Sequence, residues 1–311
     1  MTGTTRRYGS QILVLGDLCL DVLIDCASPS PIADGVTKES ALRSSSLLSV
    51  GGSAWILARA AIAAGIFRPV ILSAIGSDMW ARQLLTSIRE AGLSESSIQQ
   101  IDGAPTDLVC MMTFEGRQRL MFMPTDPTGD CLEEGFVLSC LRNIDPGDTA
   151  WVWISGYALV ERSSARRRSV RLLANWAREN EVPVVLDLVP HEFAASVGTL
   201  EEVASFLGRP DVLVGAPSTF RDFGYSFYGD GIDGANAMME VAARASRDWG
   251  IVVTQTHTGP SNFGQILARD GVVLSISELV IPANDLRGPG DQLALKALEQ
   301  LSLLERPERG N

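Results

Sequence analysis

The sequence predicts one α/β domain with a mostly parallel sheet and helices on both faces. Short apolar runs typical of buried strands alternate with longer segments of helical periodicity. Such alternation indicates strand–helix–strand units whose strands lie parallel. The chain has 311 residues, 46% hydrophobic and 20% charged, enough for one large folded core. We therefore treat residues 1–311 as a single domain.

Each element of the main sheet is predicted from its own apolar run. The first run, QILVL at 11–15, ends at Gly16, and glycines at 65 and 92 end the first two helices. The predicted strands are 11–15, 69–75, 150–155, 182–186, 212–214 and 251–254, followed by a terminal hairpin of 265–268 and 272–276. The predicted helices are 54–64, 79–91, 162–180, 200–207, 234–248 and 292–304.

Two stretches depart from this alternation and predict a second, smaller sheet. Residues 17–50 alternate loosely and carry turn-forming prolines and glycines, and 108–114 with 119–123 read as a hairpin. We expect a β-sheet lid formed from about 18–50 and 106–125, inserted into the larger domain.

Composition excludes several classes of function. A net charge of −11 argues against a nucleic-acid partner, which needs clustered cations. The basic run 162–171 is interpreted mainly as a solvated helix face. Five cysteines without a Cys-x-x-Cys pair, and no signal-peptide pattern, predict a reducing cytoplasmic location. No apolar run reaches membrane-spanning length, and only two histidines are present, so a histidine zinc site is not expected.

The segment Gly288-Pro289-Gly290-Asp291 is the most informative motif. It stands immediately before a helical pattern, where backbone N–H groups and the positive helix end can face an anion. The acid beside them can accept a proton from an attacking hydroxyl, so the motif supplies the parts that phosphoryl transfer requires. The alternative is an ordinary glycine-rich turn with a capping aspartate.

Other nucleotide-binding motifs are missing from the sequence. No glycine-rich loop ends in Gly-Lys-Ser or Gly-Lys-Thr, which excludes a P-loop enzyme. No Gly-x-Gly-x-x-Gly follows the first strand, which excludes a Rossmann-type nicotinamide enzyme.

Three motifs in a fixed order resemble the ribokinase-like carbohydrate kinases (the PfkB family). Gly16-Asp17-x-x-x-Asp21 follows the first strand, Gly51-Gly52 opens an alanine-rich helix, and the Gly-Pro-Gly-Asp segment lies near the C-terminus. The resemblance covers roughly residues 11–304. It implies a three-layer α/β/α fold with a β-sheet lid, ATP as phosphoryl donor with Mg²⁺, a small-molecule hydroxyl acceptor, and often a homodimer formed through the lids.

The resemblance also implies roles for single residues. Asp291 would be the catalytic base, with Gly288 and Gly290 in the anion hole beside it. The substrate-binding positions would be Asp17, Asp21, Gly51 and Gly52. The nucleotide-binding positions would be Thr254, Thr256, Gly259 and Asp285. No protein ligand for a metal is assigned. Plain alternatives are a surface or turn acid for Asp21, helix punctuation for the glycine pair, and a polar turn for 254–259.

Several family positions differ in this chain. Ile56 replaces an expected asparagine, Pro289 removes one N–H from the anion hole, and Arg287 replaces a small hydroxyl residue. Residues 216–219 read Ala-Pro-Ser-Thr, without the metal-organising Asn-x-x-Glu. Trp55 and Ile56 suggest a less polar acceptor than ribose. Two hypotheses follow: an active small-molecule kinase, or a pseudokinase that binds ligands or regulates without transferring phosphate.

Overall fold

The computed structural model describes residues 10–26, 44–114, 119–189, 193–225, 235–257, 262–280 and 289–304. These residues form a large sheet between two helical layers, with a second, small sheet beside it. The strands are β1 Gln11–Leu15, β2 Cys19–Cys26, β3 Ser44–Gly51, β4 Arg68–Ile75, β5 Ile98–Gln100, β6 Leu108–Thr113, β7 Arg119–Phe122, β8 Thr149–Ser155, β9 Val184–Leu188, β10 Val212–Gly215, β11 Ile251–His257, β12 Asn262–Arg269 and β13 Val272–Val280. The helices are α1 Ser53–Ala64, α2 Met79–Glu90, α3 Glu134–Leu141, α4 Ala165–Glu179, α5 Phe193–Val197, α6 Leu200–Leu207, α7 Pro217–Asp222, α8 Ala235–Trp249 and α9 Pro289–Leu304.

The large sheet has nine strands in the order β13-β12-β11-β10-β9-β8-β1-β4-β5. Every neighbouring pair from β11 to β5 is parallel, and β12 and β13 complete the sheet as an antiparallel hairpin. The chain leaves β1 towards β4 on one side and continues from β8 towards β9 on the other. The boundary between the paired strands β1 and β8 is therefore the point where strand order reverses, and ligands of open α/β sheets bind outside the carboxyl ends of the strands at such a point.

Two hydrophobic cores fill the spaces between the sheet and the helical layers. Alternate residues of β1 serve both, because successive side chains of a strand point to opposite faces. Ile12 and Val14 pack with α1, α2 and α9, whereas Leu13 and Leu15 pack with the layer that includes α4 and α6. All four β1 side chains are fully buried. The strand is thus rigid up to its carboxyl end, from which the site is built.

The small sheet has the order β3-β2-β6-β7. Strands β2 and β3 are antiparallel, β2 and β6 are parallel, and β6 and β7 form a hairpin. Several large apolar side chains of this sheet are exposed, including Leu47, Leu48 and Phe122.

The predicted α/β architecture is confirmed, and the boundaries of the first strand and of the helix at 200–207 match. The hairpin turn at Asp270-Gly271 is also confirmed, with both residues at positive φ. The prediction omitted one strand and three helices. These are β5, α3, α5 and α7, of which none exceeds eight residues. Such short segments carry too little periodicity to be recognised.

One interpretation of the sequence is wrong in detail. The run 162–171 does open a solvated helix, but Arg166 within it is only 4% exposed.

Among the described residues, no helix is both long and apolar enough to cross a lipid bilayer.

Candidate active site

The candidate site lies at the carboxyl edge of the large sheet, around the ends of β1 and the strands from β8 onwards. Strand ends in register bring polar residues together there: Ser155 of β8 pairs with Asp187 of β9, and Gly215 of β10 pairs with Thr254 of β11. The Ser155 and Thr254 hydroxyls are buried and have no hydrogen-bond partner among the described residues. Buried polar atoms normally find a partner, so these hydroxyls mark an edge suited to a polar ligand.

Helix α9 carries Asp291 to this edge. The helix begins at Pro289, and Asp291 stands in its first turn. A Cβ added at Gly290 would lie 2.8 Å from Gln255 Nε2, so the helix start packs closely against the end of β11. Gln255 Oε1 is another buried atom without a described partner. Asp291 is half-buried rather than turned fully into solvent.

The two carboxyls at this edge are electrostatically perturbed. Burial raises the pKa of Asp291 to about 7, with its own backbone N–H opposing the shift. Burial raises the pKa of Asp187 well above its usual value, and the nearby Asp291 charge adds to the effect. Burial, followed by the charges of Asp187 and Asp17, also raises the pKa of Tyr157. These groups therefore lie within electrostatic reach of one another along a single edge.

Asp21 and the glycine pair form a second part of the site. Asp21 on β2 is 8% exposed, and Cys19 Sγ donates a hydrogen bond of 3.3 Å to its Oδ1. A Cβ at Gly51 would collide with the Asp21 carboxylate, and one at Gly52 would collide with the Asp17 carbonyl oxygen. Gly52 also has φ of 91°, which favours glycine. The pair therefore allows close backbone approach and is more than helix punctuation.

Asp17 is held mainly by protein groups. Its carboxylate forms an ion pair with Arg166 Nη1, and Ser53 Oγ lies 3.4 Å from its other oxygen. Its amide donates to Ser53 Oγ at 3.1 Å, and its carbonyl accepts from Ala54 N–H at 3.1 Å. The sequence reasoning missed Arg166 because a basic run ordinarily indicates a solvated face.

The unusual family positions are partly explained by the structure. Pro289 occupies the first position of α9, where a helix makes no intrahelical use of the N–H, so the helix itself loses nothing. Residues 216–219 form the N-cap and the first turn of the short helix α7. Ile56 is half-buried on α1. Trp55 is buried in the core rather than placed at a pocket, which removes half of the argument for an apolar acceptor.

Gly259 and Asp285 of the predicted nucleotide site and Gly288 of the predicted anion hole lie outside the described residues. Arg287 also lies outside them. Thr256 is described only as part of the β11 backbone. Within the described ranges, no group of three or more His, Cys, Asp or Glu residues could hold a metal ion.

Comparison with known proteins supports the architecture. No family model matches the chain. A curated relative, the bifunctional protein HldE of Hyphomonas neptunium, is 30% identical over 196 residues, which cover 61% of this chain and 38% of that protein. The chain thus matches well under half the length of that relative.

Solved structures match over nearly the whole chain. Adenosine kinase from Sinorhizobium meliloti is 15% identical, with a TM-score of 0.69, and the match covers 94% of this chain and 88% of that one. Ribokinase from Giardia lamblia is 16% identical, with a TM-score of 0.68 and coverage of 97% and 86%. Anopheles gambiae adenosine kinase, in complex with a di(adenosine) tetraphosphate, is 16% identical, with a TM-score of 0.66 and coverage of 96% and 91%. The expected ribokinase-like fold is confirmed.

Proposed function

We propose that this chain is an ATP-dependent phosphotransferase acting on a hydroxyl of a sugar, a nucleoside or a related small molecule. The observation that carries the proposal is Asp291, a half-buried carboxylate in the first turn of α9 with a pKa of about 7. A general base is most effective when its pKa lies near the working pH. The solved adenosine kinases and ribokinase of the same fold support this reaction class.

In the proposed reaction Asp291 accepts the proton of the acceptor hydroxyl as its oxygen attacks the terminal phosphorus of the nucleotide. The O–P bond to the leaving diphosphate breaks as the new O–P bond forms, so the diphosphate departs with the bonding electrons. The free N–H groups at the start of α9, including that of Gly290, face the developing negative charge. Mg²⁺ would neutralise the nucleotide phosphates, and such an ion is usually held by one or two carboxylates together with the phosphates themselves.

Asp21 is the proposed acceptor-binding residue. Its carboxylate lies against Gly51, at the turn from β3 into α1, and can accept hydrogen bonds from two hydroxyls of a polyol. Asp17 is proposed as a substrate-side residue as well, although its described contacts are with Arg166 and Ser53. Thr254, Thr256, Gly259 and Asp285 remain the proposed nucleotide side.

A pseudokinase is the second candidate, and one observation favours it. The chain lacks Asn-x-x-Glu after β10, and no arginine or lysine among the described residues lowers the pKa of Asp187 or Asp291. Two carboxyls without a nearby cation are poorly suited to approach a polyphosphate unless a metal or a proton accompanies it.

The deciding experiment is phosphate transfer from MgATP to a panel of sugars, nucleosides and aminosugars, with Asp291→Asn as the control. Turnover that the substitution abolishes supports the kinase. Calorimetric binding of ATP or an acceptor without turnover supports the pseudokinase. If neither binding nor turnover is seen across the panel, the proposed function is wrong.

A homodimer through the small sheet is proposed on separate grounds. Leu47 and Leu48 of β3 and Phe122 of β7, on the two outer strands of the small sheet, are each more than 40% exposed, and so much exposed apolar surface is unusual in a monomer. Sedimentation of the wild type and of Leu48→Glu tests it, since a dimer that depends on this face will dissociate in the variant. A wild-type monomer would contradict the proposal.

A further inference from the structure

The connections between the small sheet and the large domain converge on one place. The chain enters β2 through Asp17 and leaves β3 through Gly52 and Ser53. It enters β6 through Asp107 and, after β7, reaches a 3-10 turn at Thr128–Cys131 that contains Asp130. Each of these four crossings thus carries a polar side chain at its boundary.

Arg166, on a helix of the large domain, contacts residues at these crossings. It lies in the first turn of α4, and its Nη1 forms an ion pair with Asp17. Its Nη2 lies 2.7 Å from Asp130 Oδ1 and donates to the Tyr157 carbonyl at 3.0 Å. The side chain is 4% exposed, and its Nε has no hydrogen-bond partner among the described residues.

Asp107 ties the second pair of crossings together. Its carboxylate accepts the amide N–H of Thr128 at 2.7 Å and of Gly129 at 3.0 Å, so the entry to β6 holds the segment that follows β7. A Cβ at Gly129 would lie 3.0 Å from Arg166 Nη1, which shows how closely this turn approaches the guanidinium. Ser53 completes the group through its contacts with Asp17.

The chemistry of the cluster indicates that it fixes the orientation of its partners more than it adds net stability. A buried ion pair contributes little net stability, because both charges lose their hydration, but it fixes the directions in which its partners lie. A planar guanidinium with two occupied Nη atoms fixes them more strictly than a lysine would. An apolar hinge would hold the sheets together without fixing their angle. Asp21 lies four residues beyond Asp17 on β2, so the orientation of β2 sets where Asp21 points.

We propose that Arg166 is a positioning residue that fixes the small sheet to the large domain at its four crossings and so places Asp21 at the acceptor side of the site. The acceptor part of this inference rests on the proposed function. The structural part does not, because it concerns only how the two sheets are joined.

The test is hydrogen exchange of the full chain, followed by mass spectrometry, in Arg166→Met, Arg166→Lys and the matched control Arg168→Met. Arg168 lies on the same helix but pairs with Glu134 at the surface. We expect amide exchange in β2 and β6 of Arg166→Met to accelerate about tenfold or more beyond the acceleration in β9 and β10, which reports the loss of global stability. The lysine variant should restore part of the protection, and Arg168→Met should match the wild type.

Unchanged exchange in β2 and β6, or an equal acceleration in both sheets, would overturn the inference and make the pair merely stabilising. If Arg166→Met does not fold, Asp130→Asn is used instead, because it removes one partner of the guanidinium. Amide exchange in the small and the large sheet is then compared in the same way. Where the wild type turns over an acceptor, Arg166→Lys should raise KM for that acceptor more than it lowers kcat. Absent wild-type turnover defeats the proposed function but leaves the exchange result intact.

Discussion

Two groups of carboxylates, most of them partly buried, lie near each other in this molecule and differ in their charged neighbours. At the crossings, Asp17, Asp107 and Asp130 surround the guanidinium of Arg166 or accept backbone N–H groups. At the sheet edge, Asp187 and Asp291 have no described cation to oppose burial. Burial raises the pKa of Asp107 and Asp130 too, but Arg166 lowers both. The acids beside Arg166 hold the structure, whereas the proposed function assigns proton transfer to an acid without a described cation.

The largest expected effect is on turnover. If Asp291 is not the base, this effect will be missing and the contrast between the two groups of acids loses its functional meaning. Replacing it with Asn in Asp291→Asn preserves shape but removes the proton acceptor, so kcat should fall about 10²–10⁴-fold. Initial rates with MgATP and the best acceptor measure this. The matched control is Asp270→Asn in the exposed β12–β13 turn, where φ of 50° suits asparagine and activity should be unchanged. Full activity in Asp291→Asn would place the base elsewhere.

Arg166→Met should have the next largest effect. It leaves buried carboxylates without their cation, which costs about 3–5 kcal/mol of unfolding free energy. Arg168→Met removes an ion pair whose side chains are 51% and 43% exposed, and it should cost at most about 0.5 kcal/mol. Urea unfolding followed by circular dichroism measures both. Similar losses in the two variants would mean that the buried cluster is not a distinct structural unit.

Residues of the candidate site can be predicted from the sequence, whereas the cluster around Arg166 cannot. Asp291, Asp21, Gly51 and Gly52 are found because each stands in a short motif next to a strand or helix end. Arg166 is not found, because its burial depends on Asp17 and Asp130, which are far from it in sequence. Local patterns report local structure, whereas a cluster assembled from four chain crossings has no local pattern.

Asp187 shows a related limit. The sequence places it at the end of a strand, but not in the buried position that raises its pKa, nor near Asp291, whose charge adds to the shift from more than a hundred residues later. Only the order of strands in the sheet brings the two together. The sequence predicts that the last helix begins at residue 292. In the structure α9 begins at Pro289, which is a favourable first helical residue.

A smaller effect is expected at Gly51, which lies against the Asp21 carboxylate. The methyl group introduced by Gly51→Ala would collide with the Asp21 carboxylate and displace it. Overpacking of this kind costs about 1–3 kcal/mol, and we expect KM for the acceptor to rise about tenfold while KM for ATP stays unchanged. Gly135→Ala in α3, where an added Cβ meets nothing, is the control. Equal rises in both KM values would show that Asp21 is not specific to the acceptor side.

The smallest effect, and the one that most directly separates the two groups, is the pH dependence of stability. Asp291 has a pKa of about 7 in the folded chain, against about 4 for an unfolded aspartate. The folded state therefore holds this proton more tightly, and its contribution to stability is lost as pH rises from about 4 through about 7. Asp291→Asn cannot ionise, so its unfolding free energy should fall by about 1–3 kcal/mol less than that of the wild type between pH 5 and pH 8. Urea titrations at both pH values measure this, with Asp270→Asn expected to follow the wild type. Parallel losses in all three proteins would mean that Asp291 is already ionised at pH 5, and the distinction between paired and unpaired acids would then rest on Asp187 alone.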